Sequence, residues 1–552
     1  MSDCYNRLKL PLLAEKKWAF GLIFFILFFN PLFYFWAGDV SMTDKCLSWV
    51  VCAVSGVAVS CIALFLKKRG EKIFLTVFFL LSAAPNVIVW SYLHLSDIYM
   101  RRDMFWVIFD SNITESAEFV QQFITWPFFL VGLVYAGAGL FFISKTKSGH
   151  ALPIRKYPFL FALSILVILT DVSFQYLSQA IPTLEFYKSY LLFRREFYVF
   201  EKEKALRMKL TADVRCLLPD TTSGHTFVIL LGESTATCHM GIYGYFRRTT
   251  PRMESRSSTL DIYTDVVTPD THTYGVMQKT LTFASHSHPE YYREKASIVE
   301  LFNAAGFETF WIANNPILDK WGASYGVIAQ EAGQVFDVSL SKKPDGIVLN
   351  SLKKILDGSD GESSGKNKAI FIHLMGSHHT YHSRYPDEFD RFSHKRDGDL
   401  ADMGFRDHKM KQTIDEYDNS ILYGDFVYDL ILRELEETGD SAWLLFFSDH
   451  GEEVFDTRAA SGHHMSNVYP CQCRIPFILW RSEKYRAENP DIVVDPSRPY
   501  STEDVIYSIS TLSKLEYEGN NKTLSIFSPE YQAPVKRRVG KEEYESILKK
   551  SR

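Results

Sequence analysis

The chain is 552 residues long, 47% hydrophobic and 15% aromatic, which makes it longer than one ordinary domain and richer in apolar side chains than a typical soluble enzyme. A formal net charge of −5 argues against a nucleic-acid partner, which calls for a strongly basic surface. The average hides a division: apolar runs dominate up to about Leu177, whereas the sequence beyond about Leu210 has ordinary globular composition.

Five apolar runs approach or reach the roughly 20 residues that span a bilayer: about Trp18–Ala37, Cys46–Leu66, Ile73–Leu93, Phe119–Ser144 and Tyr157–Leu177. The first contains Asn30-Pro31, tolerable in a spanning helix when neighbours satisfy the freed backbone groups. A cleaved signal peptide would account for that run alone, but four more follow and no small-residue cleavage site is evident. Loop charges set the orientation. Arg7, Lys9, Lys16 and Lys17, then Lys67, Lys68, Arg69 and Lys72, then Lys145, Lys147, Arg155 and Lys156 share one side, against Lys45, Arg101 and Arg102 on the other. That bias puts the N-terminus in the cytoplasm and, after five crossings, everything beyond Leu177 outside. In a Gram-negative cell this is the periplasm, with the chain in the inner membrane.

The expected organisation is a transmembrane domain over residues 1–180, an amphipathic linker at the membrane surface over 181–215, and a periplasmic catalytic domain over 216–552. Leu184 to Met208 mixes aromatics with Arg and Lys and reads as a helix along the bilayer surface. Short apolar runs then alternate with helical patterns. Candidate strands are Thr226–Leu231, Thr309–Ile312, Ala369–Leu374, Ala442–Phe447 and Ile475–Trp480, and candidate helices are Lys295–Ala305 and Gln412–Thr438. Such alternation predicts an α/β sheet with helices on both faces, whose sites form at the carboxyl ends of strands. Of eight cysteines, Cys216, Cys238, Cys471 and Cys473 are on the exported side, where zero or one disulfide is expected.

Two of the apolar runs stop at sharp polar turns. VILLGEST at Val228–Thr235 delivers Glu233, and FFSDHGEE at Phe446–Glu453 delivers Asp449, His450 and Glu452. A carboxylate at one strand end and an Asp-His pair at another suit a borderline metal such as zinc. Histidines cluster in HLMGSHHTYH and SGHHMSN. His373 sits within the apolar run as a core histidine, whereas His378 and His463 follow small residues and are placed to face a cleft, binding substrate phosphate or a second metal. A hydroxyl nucleophile with a metal-lowered pKa has candidates in Thr268, Thr271, Thr273, Thr280 and Thr282, and spacing does not separate Thr271 from Thr273.

The block GESTATCHMGIYGYFRRTTPRM, together with AGFETFWIANN, HLMGSHHTYHSRYPDEF, YDNSILYGDFVYDLIL and FFSDHGEE, resembles the bacterial phosphoethanolamine transferases that decorate lipid A and lipopolysaccharide core. These belong to the alkaline phosphatase/sulfatase superfamily. The longer spacings and the LTFA ending are more similar to the lipopolysaccharide-core branch. The resemblance implies a five-helix membrane bundle joined to a sulfatase-like α/β domain. It implies zinc, one ion tightly bound with a second as an option, on Glu233, Asp449, His450 and the nucleophile Thr273. It further implies cleft histidines at His378 and His463 and a phosphate-side lysine at Lys320. DSNITESAEF at Asp110–Phe119 resembles the family's donor-binding segment, with Glu115 set to hold the ethanolamine ammonium and Ser111 standing where Thr is usual.

The implied reaction is a two-step transfer. Thr273 takes phosphoethanolamine from phosphatidylethanolamine and releases diacylglycerol, and a lipopolysaccharide acceptor, a core sugar or lipid A, then receives the group. The protein is expected to act as a monomer among inner-membrane lipids. The alternative keeps the metal and changes the substrates: phosphoethanolamine or phosphoglycerol transfer to periplasmic glucan or another periplasmic acceptor. The lack of a C-x-P-x-R sequence argues against a formylglycine sulfatase, and spans almost free of ionisable residues argue against a transporter.

Overall fold

A computed structural model describes residues 2–34, 41–96, 100, 104–105, 108–109, 126–146, 150–174, 177, 179–218, 224–317, 324–358, 366–400, 407–463 and 468–550. The chain divides into two units, Met1–Glu196 and Phe197–Arg552.

The first unit is helical: α1 (Ser2–Phe28), α2 (Met42–Leu64), α3 (Lys68–Ser96), α4 (Trp126–Lys145), α5 (Pro158–Ser173) and the start of α6 (Pro182–Leu210). Among the described residues, three helices are long and apolar enough to cross a membrane: Met42–Leu64, Lys68–Leu95 and Phe128–Lys145. The last apolar run lies on the shorter α5, and the first lies on α1 up to Phe28. That helix stops short of Ala37 because Asn30-Pro31 turns the chain, with Pro31 O accepting the Trp49 indole at 3.1 Å. Leu22, Ile23, Ile26, Leu75, Phe79 and Tyr135 form the interior of the bundle. Outward, α4 bares Phe129, Leu130, Leu133, Val134 and Leu140. A band of that kind suits hydrocarbon rather than water. Polar side chains tie the helices together: Asn86 donates to Ile26 O and Tyr135 Oη, and Asp171 of α5 accepts Ser55 of α2 at 2.7 Å.

The second unit is built on a seven-stranded sheet. Its strands are β1 (His225–Gly232), β2 (Leu260–Ile262), β3 (Glu308–Ala313), β4 (Gln334–Asp337), β5 (Lys368–His373), β6 (Ser441–Ser448) and β7 (Phe477–Arg481), in the spatial order β2-β7-β6-β1-β5-β3-β4. The strands from β6 to β4 run parallel, and β7 and β2 add an antiparallel margin. β1, β5 and β6 are continuous apolar runs buried on both faces, as parallel strands under two helical layers must be. Val228 and Leu230 share a cluster with Leu352 of α9 (Val348–Leu356) and Ile421 and Tyr428 of α10 (His408–Glu437), while Phe227 stacks on Trp443 at 4.8 Å. Two shorter helices, α7 (Thr273–Thr280) and α8 (Ile298–Ala304), precede them.

The five strand expectations each fall on a strand, whereas β2 and β4 carry no such signal in the sequence. β2 has only three residues, and β4 is a largely exposed edge strand without the apolar run that marks the centre. α10 begins at His408 rather than Gln412 because Asp407 caps it, accepting Met410 N.

Candidate metal centre and nucleophile

β1 and β6 are neighbours in register, Gly232 opposite Ser448, so the turns that follow them emerge side by side at the carboxyl edge of the sheet. Asp449 N donates to Gly232 O, and Ser377 N, beyond β5, donates to Glu233 O at 2.9 Å. Three sequence-distant loops are thus bound to one another by backbone.

Glu233, Asp449 and His450 are buried, and their ligand atoms lie within 4.8 Å of one another. His450 Nε2 is 3.5 Å from Glu233 Oε1 and 3.4 Å from Asp449 Oδ2. Its Nδ1 lies 2.8 Å from Gly451 O, which only accepts, so Nδ1 carries the proton and Nε2 offers a lone pair inward. Asp449 Oδ2 and His450 Nε2 have no hydrogen-bond partner among the described residues. Burial, and then Asp449 beside it, pushes the Glu233 carboxyl well above the usual carboxylate range, and burial pulls His450 down. Two buried carboxylates facing an unprotonated imidazole nitrogen form a compact cage of donors suited to a divalent cation. The oxygen-and-imidazole donor set fits zinc.

The hydroxyls now separate. Thr273 Oγ1 donates to Glu233 Oε2 at 3.1 Å, at the first position of α7, where the leading amides lack intrahelical partners and the dipole favours an anion. Thr271 Oγ1 instead lies 3.2 Å from His272 Nδ1, and Thr268 donates to Asp270 O and Asp449 O. Thr280 and Thr282 turn back to Val276 O and Gln278 O.

His463 lies against the cage, its ring 4.2 Å from that of His450 and 4.9 Å from His272. Its Nδ1 meets Glu452 Oε2 at 2.8 Å, while Tyr381 donates to the other Glu452 oxygen. Burial works against a charged His463, yet Glu452 outweighs it and raises its pKa. Glu452 is correspondingly lowered against its own burial by His463. His378 is pulled well below the ordinary imidazole range by burial, then by Arg384 and the neighbouring histidines, and its Nδ1 has no partner among the described residues. His373 is buried in β5, edge-on to Trp311, and lowered to about 4 by burial. His382 is exposed. Ser111, Glu115 and Lys320 lie outside the described residues, as does His464.

Several side chains at the centre carry no expectation from the sequence. Asn315 Nδ2 donates to Glu233 Oε2 at 3.2 Å. Asp345 accepts Met375 N and Gly376 N, each at 2.8 Å, and fixes the turn before His378. Tyr417 binds the backbone of the GES turn. Asn315 and Tyr417 stand inside the quoted motifs AGFETFWIANN and YDNSILYGDFVYDLIL, which was the available signal. Among the described residues one disulfide is present, Cys238–Cys471, linking the chain after Glu233 to the segment after His463. Cys216 and Cys473 take no part in that bridge.

The sulfatase family model matches residues 225–515. Phosphoethanolamine transferase CptA of Salmonella typhimurium is 28% identical over 487 residues, covering 82% of this chain and 83% of its own. The crystal structure of the C-terminal periplasmic domain of EptC from Escherichia coli, in complex with Zn, is 27% identical with a TM-score of 0.56, over 61% of this chain and 96% of that one. The integral membrane protein lipooligosaccharide phosphoethanolamine transferase A from Neisseria meningitidis shares the fold over 93% of this chain and 99% of its own, at 18% identity and a TM-score of 0.65. The resemblance read from the motifs is borne out, and these relatives agree with the lipopolysaccharide-core branch.

Proposed function

The chain belongs to the sulfatase family, and from that and its relatives we infer that it is a phosphoethanolamine transferase whose donor is phosphatidylethanolamine and whose acceptor is lipopolysaccharide, at a core sugar or lipid A. The observation that carries this reading is Thr273 Oγ1 at 3.1 Å from Glu233 Oε2, in a group with Asp449 Oδ2 and His450 Nε2, which have no hydrogen-bond partner among the described residues. Glu233, Asp449 and His450, with Thr273 Oγ1, would hold zinc, and the ion would supply the positive charge that lowers the pKa of the Thr273 hydroxyl.

Thr273 gives up its hydroxyl proton to water and attacks the phosphorus, the bond to the diacylglycerol oxygen breaks, and phosphoethanolamine remains on the threonine. The dipole at the N-terminus of α7 favours the negative phosphoryl oxygens, and His378 helps to stabilise their charge. His463, backed by Glu452 at Nδ1, gives a proton from Nε2 to the leaving oxygen. In the second step it takes one from the acceptor hydroxyl, whose oxygen attacks the phosphorus as the bond to Thr273 breaks and the threonine oxygen regains a proton from water. Ser111 and Glu115 hold the donor's ethanolamine end, and Lys320 meets its phosphate.

The same reading assigns residues 1–180 to a five-helix anchor in the inner membrane with a cytoplasmic N-terminus. It assigns 181–215 to a surface linker and 216–552 to a periplasmic catalytic domain, in a monomeric protein. The Cys238–Cys471 disulfide supports an oxidising compartment. Confining enzyme, donor and acceptor to one membrane face supplies the proximity the transfer needs.

The test uses the full chain in detergent micelles containing phosphatidylethanolamine. A phosphoethanolamine adduct on the Thr273 peptide and matching diacylglycerol release are expected for wild type and Thr271→Ala, and neither for Thr273→Ala. Adduct formation that survives Thr273→Ala would sink the assignment. Mass spectrometry of lipopolysaccharide from a deletion strain, looking for a missing phosphoethanolamine, locates the acceptor.

A further inference from the structure

Four consecutive residues of α10, Tyr417, Asp418, Asn419 and Ser420, are all buried. Successive helical side chains diverge by about 100°, so four in a row cannot share one face; each makes its own set of polar contacts. Asp418 accepts from His239, Tyr245 and Arg247. Asn419 accepts Arg391 N and Phe392 N, and Ser420 meets Ser377 Oγ at 2.8 Å. Tyr417 Oη donates to Ser234 O at 2.7 Å and accepts Ala236 N at 3.0 Å.

Ser234 is the residue after the metal-facing Glu233, and its φ of +54° lies in the left-handed region that disfavours side chains. Such a conformation persists only where its surroundings over-determine it. Here Ser234 N donates to Asp449 Oδ1 at 3.0 Å and Ser234 Oγ to Glu233 Oε1 at 2.9 Å. Both bonds serve the two carboxylates of the cage. They are worth having only if the strained residue between them is itself held from outside. Tyr417 supplies that hold through the Ser234 carbonyl, and it closes the turn by taking Ala236 N on the same oxygen.

We propose that Tyr417 is a positioning residue for the metal centre: its hydroxyl locks Ser234 in the left-handed turn and so aims the Glu233 and Asp449 carboxylates inward, without touching metal or substrate. This rests on the zinc-binding reading of Glu233, Asp449 and His450.

The experiment measures zinc affinity of the full chain by competition with a chromophoric chelator. Tyr417→Phe keeps the ring contacts to His239 at 4.9 Å and Tyr381 at 5.0 Å and removes only the hydroxyl. Zinc binding should weaken about 10–100-fold, the range for outer partners of metal ligands. The zinc-induced rise in melting temperature should shrink along with it. Ser234→Gly is the second variant, because glycine enters the turn without strain. In that background Tyr417→Phe should cost less than about threefold, since residues acting as one unit are not additive. Wild-type zinc affinity in Tyr417→Phe, or fully additive losses in the double variant, would overturn the proposal. A wild-type chain that binds no zinc, or binds it equally after Glu233→Ala, would instead bring down the metal reading beneath it.

Discussion

Gly376 lies at the point where the turn after β5 crosses the backbone of Glu233, and replacing it with alanine should damage fold and chemistry together. Its φ is +52°, and a Cβ there would stand 2.5 Å from Glu233 O and 2.8 Å from Glu233 N. Those are backbone atoms, so no side chain can swing aside. Holding alanine in the left-handed region costs about 1–2 kcal/mol. Clearing the overlap pulls Ser377 N from Glu233 O and strains Gly376 N on Asp345 Oδ2, now 2.9 and 2.8 Å. Leaving one such buried group unpaired adds about 1–3 kcal/mol. The total is about 2–5 kcal/mol, or a fall in melting temperature of about 4–10 °C at roughly 2 °C per kcal/mol. Displacing Glu233 by about 1 Å should also lower turnover about 100-fold. Gly358→Ala is the control, with φ +62° but nothing within 4 Å of the new Cβ, so it carries only the left-handed cost. Thermal unfolding and phosphoethanolamine transfer are measured on both. If Gly376→Ala melts and turns over like Gly358→Ala, the crowding at Glu233 does not hold the centre together.

Breaking Cys238–Cys471 with reductant, or as a double serine variant, should cost about 2–5 kcal/mol in denaturant titrations; an unchanged midpoint would contradict this. Burial alone would lower the pKa of His239, but Asp456 and Asp418 outweigh it and push it up to about 10. A raised folded value means that its contribution is full below about pH 6.5, shrinks as pH rises and is gone above about 10. Denaturation midpoints should therefore fall between pH 7 and 10 and flatten in His239→Asn, and an identical pH slope in the variant would refute the assignment. In the helical unit, Lys16 and Glu71 form a fully buried pair at 2.7 Å, with Lys16 also donating to Ala63 O and Leu66 O. Lys16→Met should destabilise the protein in detergent by about 3–5 kcal/mol by stranding Glu71. Adding Glu71→Leu should recover most of that loss, and no recovery would show that the pair does not act as a unit.

The helical unit was legible because hydrocarbon imposes a length and a composition that few soluble segments meet. What blurred it was local. Asn30-Pro31 ends α1 at Phe28 although the apolar run continues toward Ala37. The central strands were legible for a related reason: burial on both faces writes a continuous apolar word such as TFVILL. β4 has no such constraint. Its side chains are largely exposed, and among the described residues its backbone pairs only with β3, so nothing in its own sequence had to declare it.

The centre divides along the same line between chemistry and support. Glu233, Asp449 and His450 stood out because few structural reasons place acids and a histidine directly after apolar strands. Their convergence was not in either motif alone; it follows from β1 lying beside β6, a pairing across more than two hundred residues of chain. Thr271 and Thr273 were equivalent by spacing, and helix geometry breaks the tie. As the first residue of α7, Thr273 points its hydroxyl at Glu233, while Thr271 remains in the preceding loop beside His272. Tyr417, Asn315 and Tyr381 lay inside the quoted motifs but, like Asp345, showed no role of their own, because their polar atoms act on loops far away in sequence and a tyrosine on an amphipathic helix reads as core. Tyr417 is indeed buried, and its hydroxyl still reaches Ser234 O. A sequence therefore announces the groups that would touch a metal more clearly than those that hold them still, because ligands need unusual residue types whereas struts need only an ordinary residue in the right place.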